Sequence, residues 1–266
     1  DTFNKYETVH LNAPDHLFVT CEWAKEVILK NTSRKLDEIT VVPLGVDTKI
    51  FSPNLEKQLP SRPYRFFNIG KWEVRKGHDI LLSIFQKAFP TEQDVELHIL
   101  ASENTNSYSG PGDLYKWKSM YGSDPRVKLY PGVESHQDIA DFISTKHCGI
   151  FPSRAEGWNL ELLESMAMDK PVIATDYSAH KQFCNEQNCF LIDVNEVELA
   201  FDGKAFRNQG NWAKISDKAI DQAVDYMRYC YQNSVSSNPA GLQTATSRFT
   251  WNNTARCIKK YLDTIS

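Results

Sequence analysis

Between residues 65 and 191, short runs of β-branched and aromatic residues alternate with segments whose apolar residues recur every three or four positions. Runs of the first kind predict buried strands, and segments of the second kind predict amphipathic helices. This alternation, at intervals of about 20–30 residues, is typical of βαβ units, which build a parallel sheet with helices on both faces. We therefore predict an α/β protein with a Rossmann-like, doubly wound parallel sheet. The predicted strands are residues 65–70, 95–101, 126–130, 148–152, 171–175 and 189–192.

The segments on either side of this block have a different character. Before it, a strand, a helix and a strand are predicted at residues 16–20, 22–30 and 39–44, and the proline-spotted stretch 52–63 has the composition of an interdomain connection. After it, we predict a loop at 208–211, a helix at 217–232, a linker at 234–241 and a helix at 251–263. The expected domains are thus the end of a preceding domain with its linker, a main domain, and a linker with a closing helix, at residues 1–47, 48–235 and 236–266. Because the chain opens at Asp1 and not at a methionine, we expect that part of a longer protein is missing.

Composition and charge narrow the classes of partner. A net charge of −4 offers no basic field for a polyphosphate chain, so nucleic acid is not an expected partner. No apolar run approaches the roughly 20 residues that a membrane-spanning helix needs, and no signal peptide is expected. Six scattered cysteines predict free thiols in a reducing compartment, and hence a cytoplasmic location. Neither the acidic residues nor the seven histidines show the spacing of a metal site.

The segment from residue 151 to residue 174 carries the features expected of a binding site. A predicted strand ends at Pro152, a polar turn follows, and Gly157-Trp158-Asn159 opens a helix. In an open parallel sheet, ligands bind outside the carboxyl ends of the strands, where the first N–H groups of a helix suit a phosphate or a sugar oxygen. Gly157 would let the backbone approach a ligand closely, and Asn159 tolerates a left-handed conformation.

Two carboxylates in this segment add a more specific signal. Glu156 precedes the helix, and Glu164 lies two turns along it within an otherwise apolar run. Desolvating a carboxylate in such a run is unfavourable unless a partner forms hydrogen bonds with it. Vicinal ribose hydroxyls are suitable hydrogen-bond donors. The alternative is that Glu164 is a half-exposed helix residue and Glu156 an ordinary capping acid.

The spacing of the two glutamates resembles a known signature. Glu156 and Glu164, followed by Met166-Ala167 and by the apolar run 171–174, resemble the E-x7-E motif of the retaining glycosyltransferases of family four, the large "group one" family with the two-domain GT-B fold. Three further blocks are similar to that family in the same order along the chain. They are residues 42–47 with Phe51, Asn68-Ile69-Gly70-Lys71 with Arg75-Lys76-Gly77, and Phe249-Thr250-Trp251. The chain therefore resembles the C-terminal, donor-binding half of a GT-B enzyme, preceded by the end of the acceptor domain.

The resemblance implies roles for the residues that match. Glu164 would bind the ribose hydroxyls of a nucleotide, and Glu156 would bind the donor sugar ring. Lys71 and Lys76 would neutralise the diphosphate leaving group, where negative charge gathers in the transition state. Arg75 is expected to be a solvated surface charge. The remaining residues predicted to line the donor site are Gly70, Gly157, Trp158, Asn159, Leu160 and, in a loop that would contact the base, Val133.

The sequence also departs from the family pattern. Lys71 stands where arginine is commoner in the family. A lysine cannot form the two parallel hydrogen bonds that an arginine guanidinium makes to a phosphate. In the segment that usually reads EGFGLP, Asn159 replaces a glycine and Glu161 a proline, which could alter which sugar fits. Most of the acceptor-binding domain is expected to be missing.

The predicted function is retaining transfer of a hexose from a nucleoside diphosphate sugar, without a cofactor or metal, to a sugar, lipid or protein acceptor. This chain would supply the donor site and would hardly transfer sugar by itself. An alternative is a non-catalytic nucleotide-sugar-binding or scaffold module, and a GT-B epimerase or phosphorylase is less expected. The base, the sugar and the acceptor stay open at this point.

Overall fold

The computed structural model describes the backbone of residues 1–53, 59–102, 111–203 and 205–265, and the side chains of all of these except residues 111–114. A small N-terminal unit comes first. Its helices are α1 (Lys5–Asn12) and α2 (Glu22–Asn31), and its parallel strands are β1 (Leu17–Val19) and β2 (Ile39–Val41). A 3-10 helix (Leu36–Glu38) leads into β2.

The centre of the molecule is a parallel sheet of six strands. They are β3 (Tyr64–Lys71), β4 (Val95–Ser102), β5 (Val127–Pro131), β6 (Cys148–Phe151), β7 (Val172–Thr175) and β8 (Phe190–Ile192). Their order across the sheet is β5-β4-β3-β6-β7-β8. The α/β class and the doubly wound parallel sheet are therefore confirmed, with each predicted strand within two residues of its observed bounds.

Helices cover both faces of this sheet. Between the strands lie α3 (His78–Ala88), α4 (Pro111–Tyr121), α5 (His136–Ser144) and α6 (Leu160–Ala167), and after β8 come α7 (Asp217–Gln232), α8 (Pro239–Arg248) and α9 (Trp251–Leu262). Successive side chains of a strand point to opposite faces, so Phe66 and Phe67 of β3 enter two separate cores. The core around Phe66 includes residues of α3 and α7, and the core around Phe67 includes residues of α5 and α6.

The sheet opens between β3 and β6, where the strand order reverses. Only Phe66 and Phe67 pair with β6, at Cys148 and Gly149. Beyond them the side-chain amide of Asn68 donates to the carbonyl of Ile150 at 2.7 Å, in place of a backbone hydrogen bond. A reversal of this kind leaves a crevice at the carboxyl ends of the two strands, which is the usual ligand site of open α/β sheets.

Two expectations for the C-terminal part are wrong. The predicted loop at 208–211 lies inside β10 (Arg207–Ala213), which pairs antiparallel with β9 (Val197–Phe201). The pairing steps from Arg207–Phe201 to Asn211–Leu199, and Asn208 and Gly210 have positive φ, so residues 208–210 form an irregular bulge within the strand.

The predicted linker at 234–241 contains the start of α8. The Asn238 side chain accepts a hydrogen bond from the Gly241 N–H at 3.0 Å, and Pro239 occupies the first helical turn. The Asn-Pro pair is thus a helix start signal and not a loop signal.

Other local predictions are confirmed. The helix predicted at 217–232 is α7 with the same bounds. All six cysteines are free thiols. Among the helices described, none is long and apolar enough to cross a membrane.

Candidate functional site

Two loops meet at the crevice between β3 and β6. The loop after β3 carries residues 72–77, and the loop after β6 carries residues 152–159. The Arg154 N–H donates to the Arg75 carbonyl at 2.7 Å. Gly77 has a φ of +80°, and a Cβ at this position would lie 2.4 Å from the Pro152 carbonyl oxygen. A glycine is therefore required at residue 77 both by its backbone conformation and by the close approach of the two loops.

The carboxylate of Glu156 lies where these loops meet, and three side chains bind it. Arg75 Nη1 is 2.6 Å from Oε2, Lys76 Nζ is 2.9 Å from Oε1, and the Ser153 hydroxyl donates to Oε1 at 2.9 Å. Glu161 extends the cluster, with its Oε2 3.7 Å from Lys76 Nζ. The structure therefore places Glu156 and Lys76 in direct contact, as expected of two residues that belong to one binding site.

The charges of this cluster hold one another ionised although they are buried. Burial alone would raise the pKa of Glu156, but Lys76 and Arg75 lower it to about 2. Burial alone would lower the pKa of Lys76, but Glu156 and Glu161 raise it above its usual value. The Glu156 carboxylate and the Lys76 ammonium are therefore both charged at neutral pH.

Arg75 is not the solvated surface charge that we expected from the sequence. Besides Glu156, its Nη1 donates to the Ala155 carbonyl at 2.8 Å, and its Nη2 donates to Glu73 at 2.8 Å. The local sequence around Arg75 gives no sign that a loop 80 residues away partly covers this side chain. Arg75 bridges the two loops of the crevice.

Lys71 and Gly70 occupy the end of β3. The Lys71 side chain is exposed and forms no ion pair with the described residues, so it is not part of the cluster around Glu156. A Cβ on Gly70 would lie 3.2 Å from Cε of Lys76, and the glycine therefore leaves room for that side chain to cross. The predicted roles of both residues toward a donor remain predictions.

Asn159 shapes the turn into α6. It adopts the left-handed conformation, with φ 82° and ψ 74°. Its Oδ1 accepts a hydrogen bond from the Leu162 N–H at 3.3 Å, and its Nδ2 lies 2.8 Å from Nε2 of His180. Within the described residues, the backbone N–H groups of Gly157 and Trp158 donate to no other group. The turn therefore presents free amides at the start of a helix, where anions and sugar oxygens bind well.

The side chains of this turn divide between core and crevice. The ring of Trp158 packs inward, with centroids 5.1 Å from Phe183 and 5.6 Å from Phe249. Only the backbone of Trp158 is left to face a ligand. Leu160 is partly buried against the same core. A Cβ on Gly157 would meet nothing within 4 Å, so open space adjoins that residue.

Glu164 is buried on α6 with 5% of its surface exposed, so the half-exposed alternative is wrong. None of the described residues forms a hydrogen bond or an ion pair with its carboxylate. Burial, assisted by the negative charge of Glu161, raises the pKa of Glu164 to about 8. A buried carboxyl group without a protein partner is a candidate for binding a ligand.

Val133 follows β5, two strands away from the crevice, and is 40% exposed. An exposed residue at the carboxyl end of β5 is compatible with contact to a ligand that extends along the ends of the strands. No contact joins it to the cluster around Glu156 within the described residues.

Sequence reasoning missed three side chains that hold the crevice loops. Arg154 forms a bidentate ion pair with Asp79, at 2.7 and 2.8 Å, and donates to the Val74 carbonyl at 2.6 Å. Ser178 accepts a hydrogen bond from the Glu156 N–H at 2.8 Å, and His180 contacts Asn159. The partners are 21 to 80 residues apart in the chain, so no local pattern reports them.

Comparison with known proteins places the chain in a family. Residues 63–203 match the family described as "Glycosyl transferases group 1". The MMP alpha-(1->4)-mannosyltransferase of Mycolicibacterium hassiacum is 30% identical over 241 residues, which are 88% of this chain and 55% of that protein. A probable sucrose-phosphate synthase of Thermosipho melanesiensis is 22% identical over 234 residues, which are 86% of this chain and 47% of that protein. The chain spans about half the length of these curated relatives.

Solved structures share the fold. The sucrose-phosphate synthase from Thermosynechococcus elongatus matches with a TM-score of 0.73 at 17% identity, covering 97% of this chain and 60% of that chain. HepE of Anabaena, in complex with UDP-glucose, matches with a TM-score of 0.73 at 13% identity, covering 98% of this chain and 67% of that chain. These matches confirm the predicted fold, the C-terminal half of a GT-B architecture. Together with the match over residues 63–203, they lead to the conclusion that the chain belongs to the glycosyl transferases group 1 family.

Proposed function

We propose that this chain supplies the donor site of a retaining glycosyltransferase, which moves a hexose from a nucleoside diphosphate sugar to an acceptor. The relatives named above as a mannosyltransferase and a sucrose-phosphate synthase support glycosyl transfer. The observation that carries the proposal is Glu164, a buried carboxyl group without a partner among the described residues, eight positions after Glu156 on the same motif. Two ribose hydroxyls would give this group the hydrogen bonds that it lacks.

The cluster around Glu156 would act on the other end of the donor. The bond between the anomeric carbon and the diphosphate breaks, and negative charge gathers on the departing phosphate oxygens. The Lys76 ammonium, already held at a fixed position by Glu156, stabilises that charge without reorganising. The free N–H groups at the start of α6 would receive phosphate or sugar oxygens.

Retention of configuration would follow from attack on the same face that the leaving group occupies. The acceptor oxygen bonds to the anomeric carbon, and its proton passes to the departing phosphate. No protein nucleophile or metal takes part in this scheme. Proton NMR of the glycoside product, formed by a longer protein that contains this chain, should show the anomeric configuration of the donor.

The experiment that tests the proposal is calorimetric titration of the chain with UDP, GDP and ADP, and then with their sugars. We expect saturable binding to one base. Glu164→Ala should weaken that binding by about 2–4 kcal/mol, because charge-assisted hydrogen bonds are lost. Glu186→Ala, which removes an equal charge from the exposed surface, is the matched control and should leave affinity unchanged.

Two results would argue against this assignment. Equal affinity of the Glu164→Ala variant and the wild type would show that Glu164 does not bind the nucleotide. Absence of binding to all three nucleotides at millimolar concentration, repeated with a longer protein that contains this chain, would favour a scaffold function.

A further inference from the structure

The segment after β7 holds both ends of the loop that carries Glu156. The 3-10 helix Ser178–Gln182 begins there, and Ser178 accepts the hydrogen bond from the Glu156 N–H at 2.8 Å. At the other end of the loop, Nε2 of His180 lies 2.8 Å from Nδ2 of Asn159. His180 is completely buried and lies 21 residues beyond Asn159 in the chain.

The partners of His180 specify its tautomer. Nδ1 lies 2.9 Å from the carbonyl oxygen of Thr175, which can only accept, so Nδ1 carries the proton. The side-chain nitrogen of Asn159 can only donate, so Nε2 accepts. The orientation of the Asn159 amide follows from its other end, because Oδ1 faces the Leu162 N–H. These two contacts require a neutral imidazole. Burial lowers the pKa of His180, which also favours the neutral form.

The contact matters because Asn159 is held in an unfavourable backbone conformation. A residue with a Cβ pays a cost at φ 82°, whereas glycine does not. The hydrogen bond that Asn159 donates to His180 and the one that it accepts from the Leu162 N–H stabilise this conformation. The same conformation sets the direction of the free N–H groups that precede α6.

We propose that His180 is a positioning residue, which accepts a hydrogen bond from Asn159, fixes its left-handed conformation and so orients the backbone N–H groups of residues 157–160 toward a bound anion. That the anion is the diphosphate of a nucleotide rests on the proposed function. The positioning itself is a property of the free chain and can be measured without a nucleotide.

The experiment is a double-mutant cycle on His180 and Asn159, read by amide hydrogen exchange and by titration with UDP and GDP. His180→Leu removes the acceptor, and we expect faster exchange of the Leu162 amide, which donates to Asn159, and about tenfold weaker nucleotide binding, since a buried donor loses its partner. Asn159→Gly keeps the backbone N–H of residue 159 and adopts the left-handed conformation unaided, so it is the background in which the effect of His180→Leu is compared. In that background, His180→Leu should change exchange and affinity by less than about twofold.

The outcomes separate this inference from the proposed function. Equal losses from His180→Leu in both backgrounds would show that His180 acts through core packing, and would overturn the inference. If the wild type binds neither nucleotide but the exchange cycle is non-additive, the positioning role stands and the proposed function fails. If nucleotide binds and exchange of the Leu162 amide is unchanged in His180→Leu, the positioning role fails alone.

A second pair of variants serves if His180→Leu does not fold. Asn159→Ala lacks the side-chain amide but keeps the Cβ, so it should show faster exchange in the loop and lose at least about tenfold in affinity. Asn159→Gly should show smaller changes in both measurements, because glycine adopts the left-handed conformation without a side-chain contact. Identical behaviour of the two variants would contradict the proposal.

Discussion

Glu156 and Glu164 are eight residues apart, equally buried, and opposite in electrostatic state. Glu156 is 7% exposed and Glu164 is 5% exposed. The pKa of Glu156 is lowered to about 2, because Lys76 and Arg75 outweigh its burial. The pKa of Glu164 is raised to about 8, because no cation compensates for its burial and the negative charge of Glu161 raises the pKa further. Burial therefore does not set the charge of a carboxyl group by itself; its neighbours decide the sign.

The two glutamates also contribute differently to the protein, one to the stability of the fold and the other to ligand binding. Glu156 is satisfied within the protein, so it holds the two crevice loops together before any ligand arrives. Glu164 is unsatisfied, so it costs stability in the free chain and gains partners only from outside. Functional residues often destabilise the free protein in this way, because a group that binds a ligand has no partner within the fold.

The largest effect is expected from Glu156→Gln. Removal of this carboxylate leaves Arg75 and Lys76 with less compensation, and breaking a buried ion pair typically costs about 3–5 kcal/mol. Urea unfolding at pH 7 measures the loss in the free energy of unfolding. The double variant Glu156→Gln/Lys76→Met removes both charges and should recover part of it. A loss below about 1 kcal/mol for the single variant would show that the cluster contributes little to the fold.

The second effect has the opposite sign. Glu164→Gln removes the cost of ionising a buried group, so it should raise the free energy of unfolding by roughly 3–5 kcal/mol at pH 8.5, as expected for a pKa raised from 4.5 to about 8. Because the folded pKa of Glu164 is above its unfolded value, the wild type is most stable, relative to the variant, below the unfolded pKa. It loses stability as the pH rises through about 8.

Urea unfolding between pH 4 and pH 9 tests this dependence. The difference between the variant and the wild type should be near zero at pH 4 and level off above pH 8. A difference that does not vary with pH would mean that Glu164 titrates normally in the folded chain.

The smallest effect is on the pH dependence of nucleotide binding. If ribose hydroxyls bind the ionised form of Glu164, affinity for UDP or GDP should rise about tenfold, or about 1.4 kcal/mol, between pH 6.5 and pH 8.5. Glu164→Gln, titrated with the same nucleotide, corrects for protonation of the ligand itself and should remove most of the rise.

Glu161→Gln sharpens the same measurement. Without the neighbouring negative charge, the pH midpoint of binding should move to lower pH, with about twofold tighter binding at pH 7. A midpoint that does not move would mean that burial alone sets the pKa of Glu164.

Expectations from the sequence succeed where local chemistry decides. The strands of the sheet and helix α7 have strong periodicity, and their type and position follow from it. Asn159 has a short polar side chain that tolerates the left-handed conformation, and the structure places it there. The failures have nonlocal causes: β10 is held by its pairing with β9, and Arg75 is partly buried because a distant loop covers it.

The sequence by itself determined the α/β class, the family and the eight-residue spacing of Glu156 and Glu164, because these depend on residue type and order. Only the tertiary structure decided that Lys76 and Arg75 share Glu156, that Glu164 has no partner among the described residues, and that His180 contacts Asn159. Those facts depend on segments 21 to 81 residues apart that meet at the carboxyl ends of the strands. The energy of a buried charge depends on distances of a few ångströms, and the order of residues along the chain does not specify them.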